Sequence, residues 1–244
     1  MKLIQHPLWI FYRVWFYVLV GLTIVILFPL LLVSILKSSW YPFFFKLARI
    51  WAKCILIGMG FYWRVKWTQK LEKGQSYIFV ANHTSMTDIM LMLVIVKDHP
   101  FVFVGKKELA RIPLFGFFYK RTCILVDRSN AKSRQAVFKS AQKRIENGLS
   151  ICIFPEGGVP DESVTLDRFK MGAFRLALDH QLPLVPISFL DNKKRLSYTF
   201  FSGSPGKMRA VGHSFFNPKN YQKESIKKMS NEVYNLLLNS LERS

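Results

Sequence analysis

Residues 77–88, YIFVANHTSMTD, decide how the fold is interpreted. The first five of them are apolar and predict a strand buried on both faces, and a helix is predicted over 87–97. Ligands in open parallel sheets bind beyond the carboxyl ends of the strands, which is where His83 lies. His83 and Asp88 are separated by about 140° around a straight helix, so they can meet only if His83 is on the loop and Asp88 is in the first helical turn.

This arrangement would let Asp88 hold one ring nitrogen of His83 while the other nitrogen accepts a proton. Two other interpretations stay open on these residues alone. Ser85 and Asp88 also fit a helix capping box, as the cap and its third position, and the two roles of Asp88 are compatible. An isolated histidine is usually structural, so the Asn-His-x4-Asp pattern does not by itself name a reaction.

Short apolar runs alternate with longer helical stretches through the rest of the chain after Trp67. This alternation predicts an α/β fold with a largely parallel sheet flanked by helices. Two further short strands are expected within 196–216, as an edge hairpin around Gly203-Ser204-Pro205-Gly206. The other predicted strands are 77–81, 101–104, 123–126, 151–154 and 184–190, and the other predicted helices are 130–147, 169–180 and 224–241.

The N-terminal region predicts membrane-embedded helices. Residues 14–36 carry no charge, and as a helix they would measure roughly 35 Å, enough to cross the hydrocarbon layer. Neither the short apolar region nor the cleavage site of a secretory signal is present. Residues 41–67 are interrupted by Lys and Arg and predict an interfacial or half-buried helix, with a buried core helix as the alternative.

We therefore expect residues 1–67 to form a membrane-anchoring segment and residues 68–244 to form the main domain. Positive charge lies mainly after the first apolar segment, which predicts that the main domain is on the cytoplasmic side of the inner membrane. The pattern leaves open whether the first helix spans the bilayer or turns back with the second.

The charge of the chain points to an anionic partner, because 35 Lys and Arg oppose 15 Asp and Glu and give a formal charge of +20. Nucleic acid and an anionic membrane surface both fit such an excess. The sequence has no zinc-finger spacing, helix-turn-helix pattern or aromatic RNA-binding signature, and its N-terminus is apolar. These features favour an anionic membrane and no nucleic acid. The three cysteines and five histidines lack metal-ligand spacing, so neither a metal nor another cofactor is expected.

Four blocks in order resemble the glycerophospholipid acyltransferase family, most closely the lysophosphatidate (1-acylglycerophosphate) acyltransferases. The resemblance spans residues 77 to 190, and four blocks in order are far more specific than one. The blocks are NHTSMTD at 82–88, GKKEL and IPLFG at 105–116 leading to ILVDR at 124–128, FPEGG at 154–158, and LVPI at 184–187.

The resemblance implies that His83 and Asp88 form a catalytic pair. The acceptor hydroxyl would give its proton to His83 and attack an acyl thioester directly, without an acyl-enzyme. The implied donor is acyl carrier protein or coenzyme A thioester, and the implied acceptor is a lysophospholipid, with the sn-2 hydroxyl of lysophosphatidate first among them. In agreement, the chain has no Gly-x-Ser-x-Gly elbow and no cysteine with an evident histidine partner.

The same resemblance assigns a further set of residues to substrate binding. Arg128 would offer a planar fork of donors to phosphate, and the glycines would let the backbone approach a ligand closely. A surface arginine, a solvated lysine pair and a plain turn stay open as alternatives for these positions. The set is Lys106, Lys107, Arg128, Glu156, Gly157, Gly158 and Lys170.

Two departures from the family pattern affect the acceptor rather than the base. The family usually continues its third block as Glu-Gly-Thr-Arg-Ser, whereas residues 156–160 are EGGVP, without the arginine. The usual glycine before the strand at 123–126 is replaced by Thr122. Either other cations, among them Arg168, hold the phosphate, or the acceptor is another lysolipid such as a lyso-aminolipid. A phospholipid transacylase and a non-catalytic lipid-binding protein are further alternatives.

Overall fold

Helices and strands alternate along the chain. A computed structural model describes residues 2–127, 130–222 and 225–243. Side chains are described for all of these residues except 2–5, 131 and 134. Within these residues the strands are β1 (Phe61–Trp67), β2 (Ile78–Ala81), β3 (Phe101–Lys106), β4 (Ile124–Val126), β5 (Ser150–Ile153), β6 (Leu184–Phe189) and β7 (Gly206–Gly212). The helices are α1 (Lys2–Ser34), α2 (Tyr41–Gly58), α3 (Asp88–Ile95), α4 (Phe115–Thr122), α5 (Ala131–Glu146), α6 (Gly172–Asp179), α7 (Asn192–Leu196) and α8 (Ile226–Glu242).

All seven strands belong to one sheet, in the order β1-β7-β6-β2-β5-β3-β4. Every neighbouring pair is parallel except β6 and β7, which run antiparallel. β2 lies in the middle, where Ile78 is in register with Ile151 on one side and Leu184 on the other. Because β2 is covered on both faces, all four of its residues are buried. The predicted α/β fold with a largely parallel sheet is confirmed.

The predicted helices are also found, with small differences at their ends. α5 begins where expected, because the side chain of Asn130 accepts a hydrogen bond of 2.9 Å from the amide of Lys132 and so caps the helix. The helix predicted from residue 169 begins later, at Gly172. The tail helix is α8, and its predicted first residue, Glu224, lies outside the described residues.

The prediction that residues 41–67 form one helix is wrong at its C-terminal end. α2 ends at Gly58, and Phe61–Trp67 form a strand that pairs in parallel with β7 from Phe61–Gly206 to Trp67–Gly212. Buried and more exposed residues alternate along this strand. A period of two is that of a strand rather than of an interfacial helix. These residues therefore belong to the sheet, although the sequence placed them with the N-terminal segment.

The predicted edge hairpin within 196–216 is also wrong. Only one strand forms there, β7, and it lies between β1 and β6 rather than at an edge. The residues before β7 do not form a second strand that pairs with it. Instead, Ser197 makes an isolated bridge with Ser85, just after β2. This bridge draws the segment after α7 towards the loop that carries His83.

α1 lies against the α/β domain at both of its ends. Near its N-terminus, Arg13 donates a hydrogen bond of 2.6 Å to the carbonyl oxygen of Thr199. Near its C-terminus, the ring of Phe28 packs edge-on to Phe118 of α4, at a centroid distance of 5.6 Å. By length and composition, His6–Ser34 could cross a membrane. The outer face of α1 exposes apolar side chains, among them Leu8, Phe11, Leu22, Val25, Ile26 and Leu30.

Candidate active site

His83 and Asp88 meet at the carboxyl end of the central strand. His83 lies on the loop after β2, and Asp88 is the first residue of α3. The distance between His83 Nδ1 and Asp88 Oδ2 is 2.9 Å. The side chain of His83 is 17% exposed and that of Asp88 is 0% exposed, so the imidazole reaches solvent while its partner does not.

Asp88 is surrounded by hydrogen-bond donors. Its Oδ2 atom also accepts from the backbone amides of Thr84 and Ser85, at 2.8 and 2.9 Å. Its Oδ1 atom accepts from the Asn192 amide nitrogen at 2.7 Å. An ionised carboxylate only accepts hydrogen bonds, so Nδ1 of His83 is assigned the hydrogen that it donates to Asp88. Nε2 of His83 is then left as an acceptor.

The capping-box pattern explains one half of this turn. The bond from the Ser85 amide to the Asp88 carboxylate is the expected reciprocal contact. The Ser85 hydroxyl, however, accepts from the Thr87 amide at 3.0 Å and donates to the Leu196 carbonyl at 2.5 Å. Asp88 therefore both closes the turn and holds the histidine.

Two aromatic side chains enclose the imidazole. Phe154, which follows β5, stacks on the His83 ring at a centroid distance of 4.2 Å and an interplanar angle of 17°. Tyr198 approaches the ring edge-on, at 6.2 Å and 87°. Together with the bond to Asp88, these contacts fix the plane of the ring and hence the direction of Nε2.

Glu156 supports the loop of His83 from behind. One carboxylate oxygen accepts from the His83 amide at 2.7 Å, and the other accepts from the Asp167 amide at 2.9 Å. Burial raises the pKa of Glu156 to about 7, although the two backbone hydrogen bonds favour the ionised form. The resemblance assigned Glu156 to substrate binding, whereas here its carboxylate faces the backbone.

A deep cavity with mainly apolar walls opens beside His83. It has a volume of about 460 Å³, within the range of small-molecule ligand pockets. We name it the apolar cavity. It is lined at the site by His83, Phe154 and Tyr198 and elsewhere by β3 and four helices, which contribute Ile24 and Leu31 of α1, Phe45 and Trp51 of α2, Ile89 and Leu93 of α3, and Phe118 and Tyr119 of α4.

The cavity brings only part of the predicted substrate-binding set beside His83. Lys106 and Gly158 line it, together with Val159, which stands where the family pattern has arginine. Gly157 and Lys170 line a neighbouring cavity, which shares Phe154 with the apolar cavity. Lys107 follows Lys106 on an exposed 3-10 helix and is not part of either lining. Arg128 lies outside the described residues.

Gly157 and Lys170 are nevertheless packed tightly against each other. Gly157 has a φ of +77°, a conformation that favours glycine. A Cβ atom at this position would lie 2.9 Å from the ammonium nitrogen of Lys170. A larger residue would therefore displace the lysine.

Asn192 is a site residue that the sequence did not indicate. It begins α7, directly after β6, and its side chain is fully buried. An ion pair holds this turn in place, because Arg209 of β7 donates to both carboxylate oxygens of Asp191 at 2.8 and 2.7 Å. Since β6 is next to β2, the rule that points to His83 at a strand end would also have pointed to residues 190–192.

The described residues offer no group of three or more His, Cys, Asp or Glu that could hold a metal ion.

The fold and the site define a class of α/β proteins with a His–Asp pair at the end of the central strand, beside an apolar cavity. The protein-family model described as "Acyltransferase" matches residues 63–190, which is more than half of the chain. This chain belongs to the acyltransferase family.

Similar proteins carry more specific names. A 1-acyl-sn-glycerol-3-phosphate acyltransferase of Haemophilus influenzae is 36% identical over 112 residues, 45% of this chain and 46% of that protein. A probable 1-acyl-sn-glycerol-3-phosphate acyltransferase of Mycoplasma pneumoniae is 28% identical over 171 residues, 66% of this chain and 64% of that protein. The matched part of the chain thus spans less than two thirds of the length of these relatives.

A solved structure shares the whole fold. The crystal structure of the 1-acyl-sn-glycerophosphate (LPA) acyltransferase PlsC from Thermotoga maritima superposes with a TM-score of 0.79. The match covers 100% of this chain and 97% of that chain, at 23% sequence identity. The likeness therefore includes the N-terminal helices as well as the sheet.

Proposed function

We propose that this protein transfers an acyl group from acyl carrier protein or coenzyme A to the sn-2 hydroxyl of lysophosphatidate, giving phosphatidate. The observation that carries the proposal is the 2.9 Å contact between His83 Nδ1 and Asp88 Oδ2 at the mouth of the apolar cavity. Family membership and the names of the similar proteins support the same reaction.

The chemistry needs one base and one apolar pocket. Nε2 of His83 takes the proton of the acceptor hydroxyl as the oxygen attacks the thioester carbonyl carbon. The carbon–sulfur bond then breaks, and the thiolate takes the proton back from His83. Asp88 holds the imidazole in the required tautomer and stabilises the imidazolium that forms between the two proton transfers. No acyl-enzyme is formed on this route.

The proposed mode of membrane attachment rests on how α1 is held. Because α1 contacts the same domain near both ends, through Arg13 and Phe28, the domain cannot lie wholly on one side of a bilayer that α1 crosses. We therefore favour attachment of α1 and α2 to one leaflet, with the exposed apolar face of α1 in the acyl chains. The apolar cavity, lined by both helices, would then receive lipid directly from that leaflet. The net charge of +20 and the acidic donors favour the cytoplasmic side of the inner membrane.

Phosphate recognition rests on Lys106 in this proposal. Its side chain lines the same cavity as His83, so it can pair with the phosphate of an acceptor whose hydroxyl is at Nε2. Gly158 would allow close approach of the backbone to the acceptor. Lys107 and Lys170, which do not line this cavity, are secondary candidates, and so is Arg128, which lies outside the described residues. Glu156 supports the loop of His83 through the His83 amide, and Gly157 packs against Lys170.

A second acceptor is favoured by one observation. Val159 lines the apolar cavity at the position where the family pattern has arginine, so this chain lacks a guanidinium there. An acceptor with less charge, such as a lyso-aminolipid, would need no such group. The reaction at His83 would be unchanged.

The experiment is an acyl-transfer assay with detergent-purified protein. Radiolabelled acyl groups are offered on acyl carrier protein and on coenzyme A, each with lysophosphatidate or a lyso-aminolipid as acceptor. Labelled phosphatidate supports the proposal, and the preferred donor identifies the thioester. If only the aminolipid is labelled, the acceptor is a lyso-aminolipid rather than lysophosphatidate, and the proposed mechanism at His83 is unchanged. Failure of every donor and acceptor pair would contradict the proposed reaction.

A further inference from the structure

A second cavity lies behind the apolar cavity, at the turn between α1 and α2. It has a volume of about 470 Å³ and shares Tyr41, Thr122 and Cys123 with the lining of the apolar cavity, but His83 is not part of it. The C-terminal ends of α4 and α5 form its other walls. We name it the basic cavity, because five cationic side chains line it: Lys37, Lys120, Arg121, Lys143 and Arg144.

Among the described residues, no carboxylate lines the basic cavity. The lining contains neither Asp nor Glu, and none of the five cations has an ion pair with any residue that the structure describes. Five like charges around one cavity repel each other, although water and salt screen part of this repulsion because most of the five side chains are exposed. A bound anion would relieve the remainder, so the basic cavity is electrostatically suited to an anion.

Helix dipoles explain part of this charge but not all of it. Lys120 and Arg121 occupy the last turn of α4, and Lys143 and Arg144 occupy the last turn of α5, where cations are favourable. Lys37, however, lies three residues after Ser34, the last residue of α1, and so is outside the last turn of that helix. Its presence brings a third element to the same cavity.

The two guanidinium groups are already held in place. Arg121 donates to the Phe117 carbonyl at 3.0 Å and lies 3.9 Å from the centroid of the Phe117 ring. Arg144 donates to the Arg121 carbonyl at 2.9 Å and lies 5.6 Å from the centroid of the Tyr41 ring. Each guanidinium has five N–H donors, so most of them remain for an anion.

We propose that the basic cavity binds the phosphate of an anionic phospholipid headgroup. The mouth of the cavity borders apolar surface, because Leu36 lines it and is 68% exposed. Lys37 lies 5.3 Å from the centroid of the Trp40 ring, and indole rings prefer the headgroup level of a bilayer. The bare apolar face of α1 ends at the same turn, so lipid chains and a headgroup phosphate would be met together.

This inference rests on the membrane attachment proposed above, and it goes beyond that attachment by naming one anion site. A free phosphate ion has the same chemistry as the headgroup, and an acidic carrier protein would also meet positive charge here. The apolar border at Leu36 and Trp40 favours the lipid over both. A headgroup in this cavity would hold the α1–α2 turn at the membrane surface, apart from the reacting lipid at His83.

The test compares two variants of equal net charge by vesicle flotation. One variant carries Lys37→Gln, Lys120→Gln and Lys143→Gln in the basic cavity. The control carries Lys219→Gln, Lys227→Gln and Lys228→Gln, which are exposed lysines outside that cavity. Vesicles are made of phosphatidylcholine alone or with phosphatidylglycerol, and a parallel series contains inorganic phosphate at an ionic strength matched by chloride.

We expect the cavity variant to bind phosphatidylglycerol vesicles at least about tenfold more weakly than the control, with equal binding to neutral vesicles. Equal binding of both variants to phosphatidylglycerol would overturn the site. In the phosphate series, we expect inorganic phosphate to displace the control from phosphatidylglycerol vesicles more than matched chloride does, and to have no such extra effect on the cavity variant. Equal extra displacement of both variants would contradict a phosphate site in the basic cavity. Failure of the wild-type protein to bind either vesicle would instead contradict the membrane attachment.

Discussion

Asn192 donates a hydrogen bond of 2.7 Å from its side-chain amide to Asp88 Oδ1, and both side chains are fully buried. The bond joins the end of β6 to the first turn after β2, across 104 residues of sequence. With the donors on Oδ2, it fixes both oxygens of the carboxylate that orients His83. Asn192 is thus a positioning residue for the proposed base.

Replacing Asn192 by alanine is expected to lower kcat by about 10–100-fold with little change in KM. A hydrogen bond to a charged group is typically worth about 1.5–3 kcal/mol, and its loss lets the Asp88–His83 pair leave the reactive orientation. Steady-state kinetics measure the split between kcat and KM. Ser188→Ala is the matched control, because it removes a buried 2.9 Å bond to His213 away from the site. An Asn192→Ala kcat equal to that of the control would contradict the positioning role.

Asp88→Asn is expected to lower kcat by about 10²–10⁴-fold and also to lower the Tm. An amide offers one acceptor oxygen where the carboxylate offers two, so its nitrogen would face a donor such as Thr84, Ser85 or Asn192. Kinetics and thermal unfolding measure the two effects. A variant with lowered Tm but wild-type kcat would limit Asp88 to closing the turn.

Lys106→Ala should raise the KM for lysophosphatidate by about tenfold, because the side chain lines the cavity beside His83 and can pair with the acceptor phosphate. Lys107→Ala is the matched control, since it removes the same charge one residue further on. We expect its KM to stay within about twofold of wild type. An equal increase of KM in both variants would show that the acceptor phosphate interacts only with the overall positive charge around residues 106–107, and not with Lys106 in particular.

Glu156 predicts a pH-dependent stability. Burial raises its pKa from 4.5 to about 7, so the folded protein binds the proton more tightly than the unfolded chain does. Its contribution to the free energy of unfolding is complete below pH 4.5 and is lost as the pH rises through about 7. The Tm of wild type minus the Tm of Glu156→Gln should therefore become smaller from pH 5 to pH 8. A value that grows over this range would contradict the raised pKa of Glu156.

The sequence predicted the sheet and the meeting of His83 with Asp88 because both depend on local patterns. The apolar run at 77–81 predicts a central strand, and the two polar side chains lie within one turn of its end. Only the loop-and-first-turn geometry lets them touch, and that geometry is found at 2.9 Å.

The remaining parts of the site depend on contacts that are distant in sequence. Asn192 has no motif of its own and reaches Asp88 only because β6 lies beside β2. The strand at 61–67 was missed because its tryptophans and charges suit an interfacial helix, although their alternation fits a sheet. The Glu156 carboxylate points towards the backbone because it accepts hydrogen bonds from the amides of His83 and Asp167. No local sequence pattern indicates that these two amides lie close together.

The most direct test of the proposed mechanism is kcat of His83→Ala with lysophosphatidate and an acyl thioester, measured beside His180→Ala. The account predicts that His83→Ala loses at least about 10²-fold in kcat, with a Tm near that of wild type, while His180→Ala stays fully active. Wild-type activity in His83→Ala would contradict His83 as the base and, with it, the proposed catalytic role of the His83–Asp88 pair.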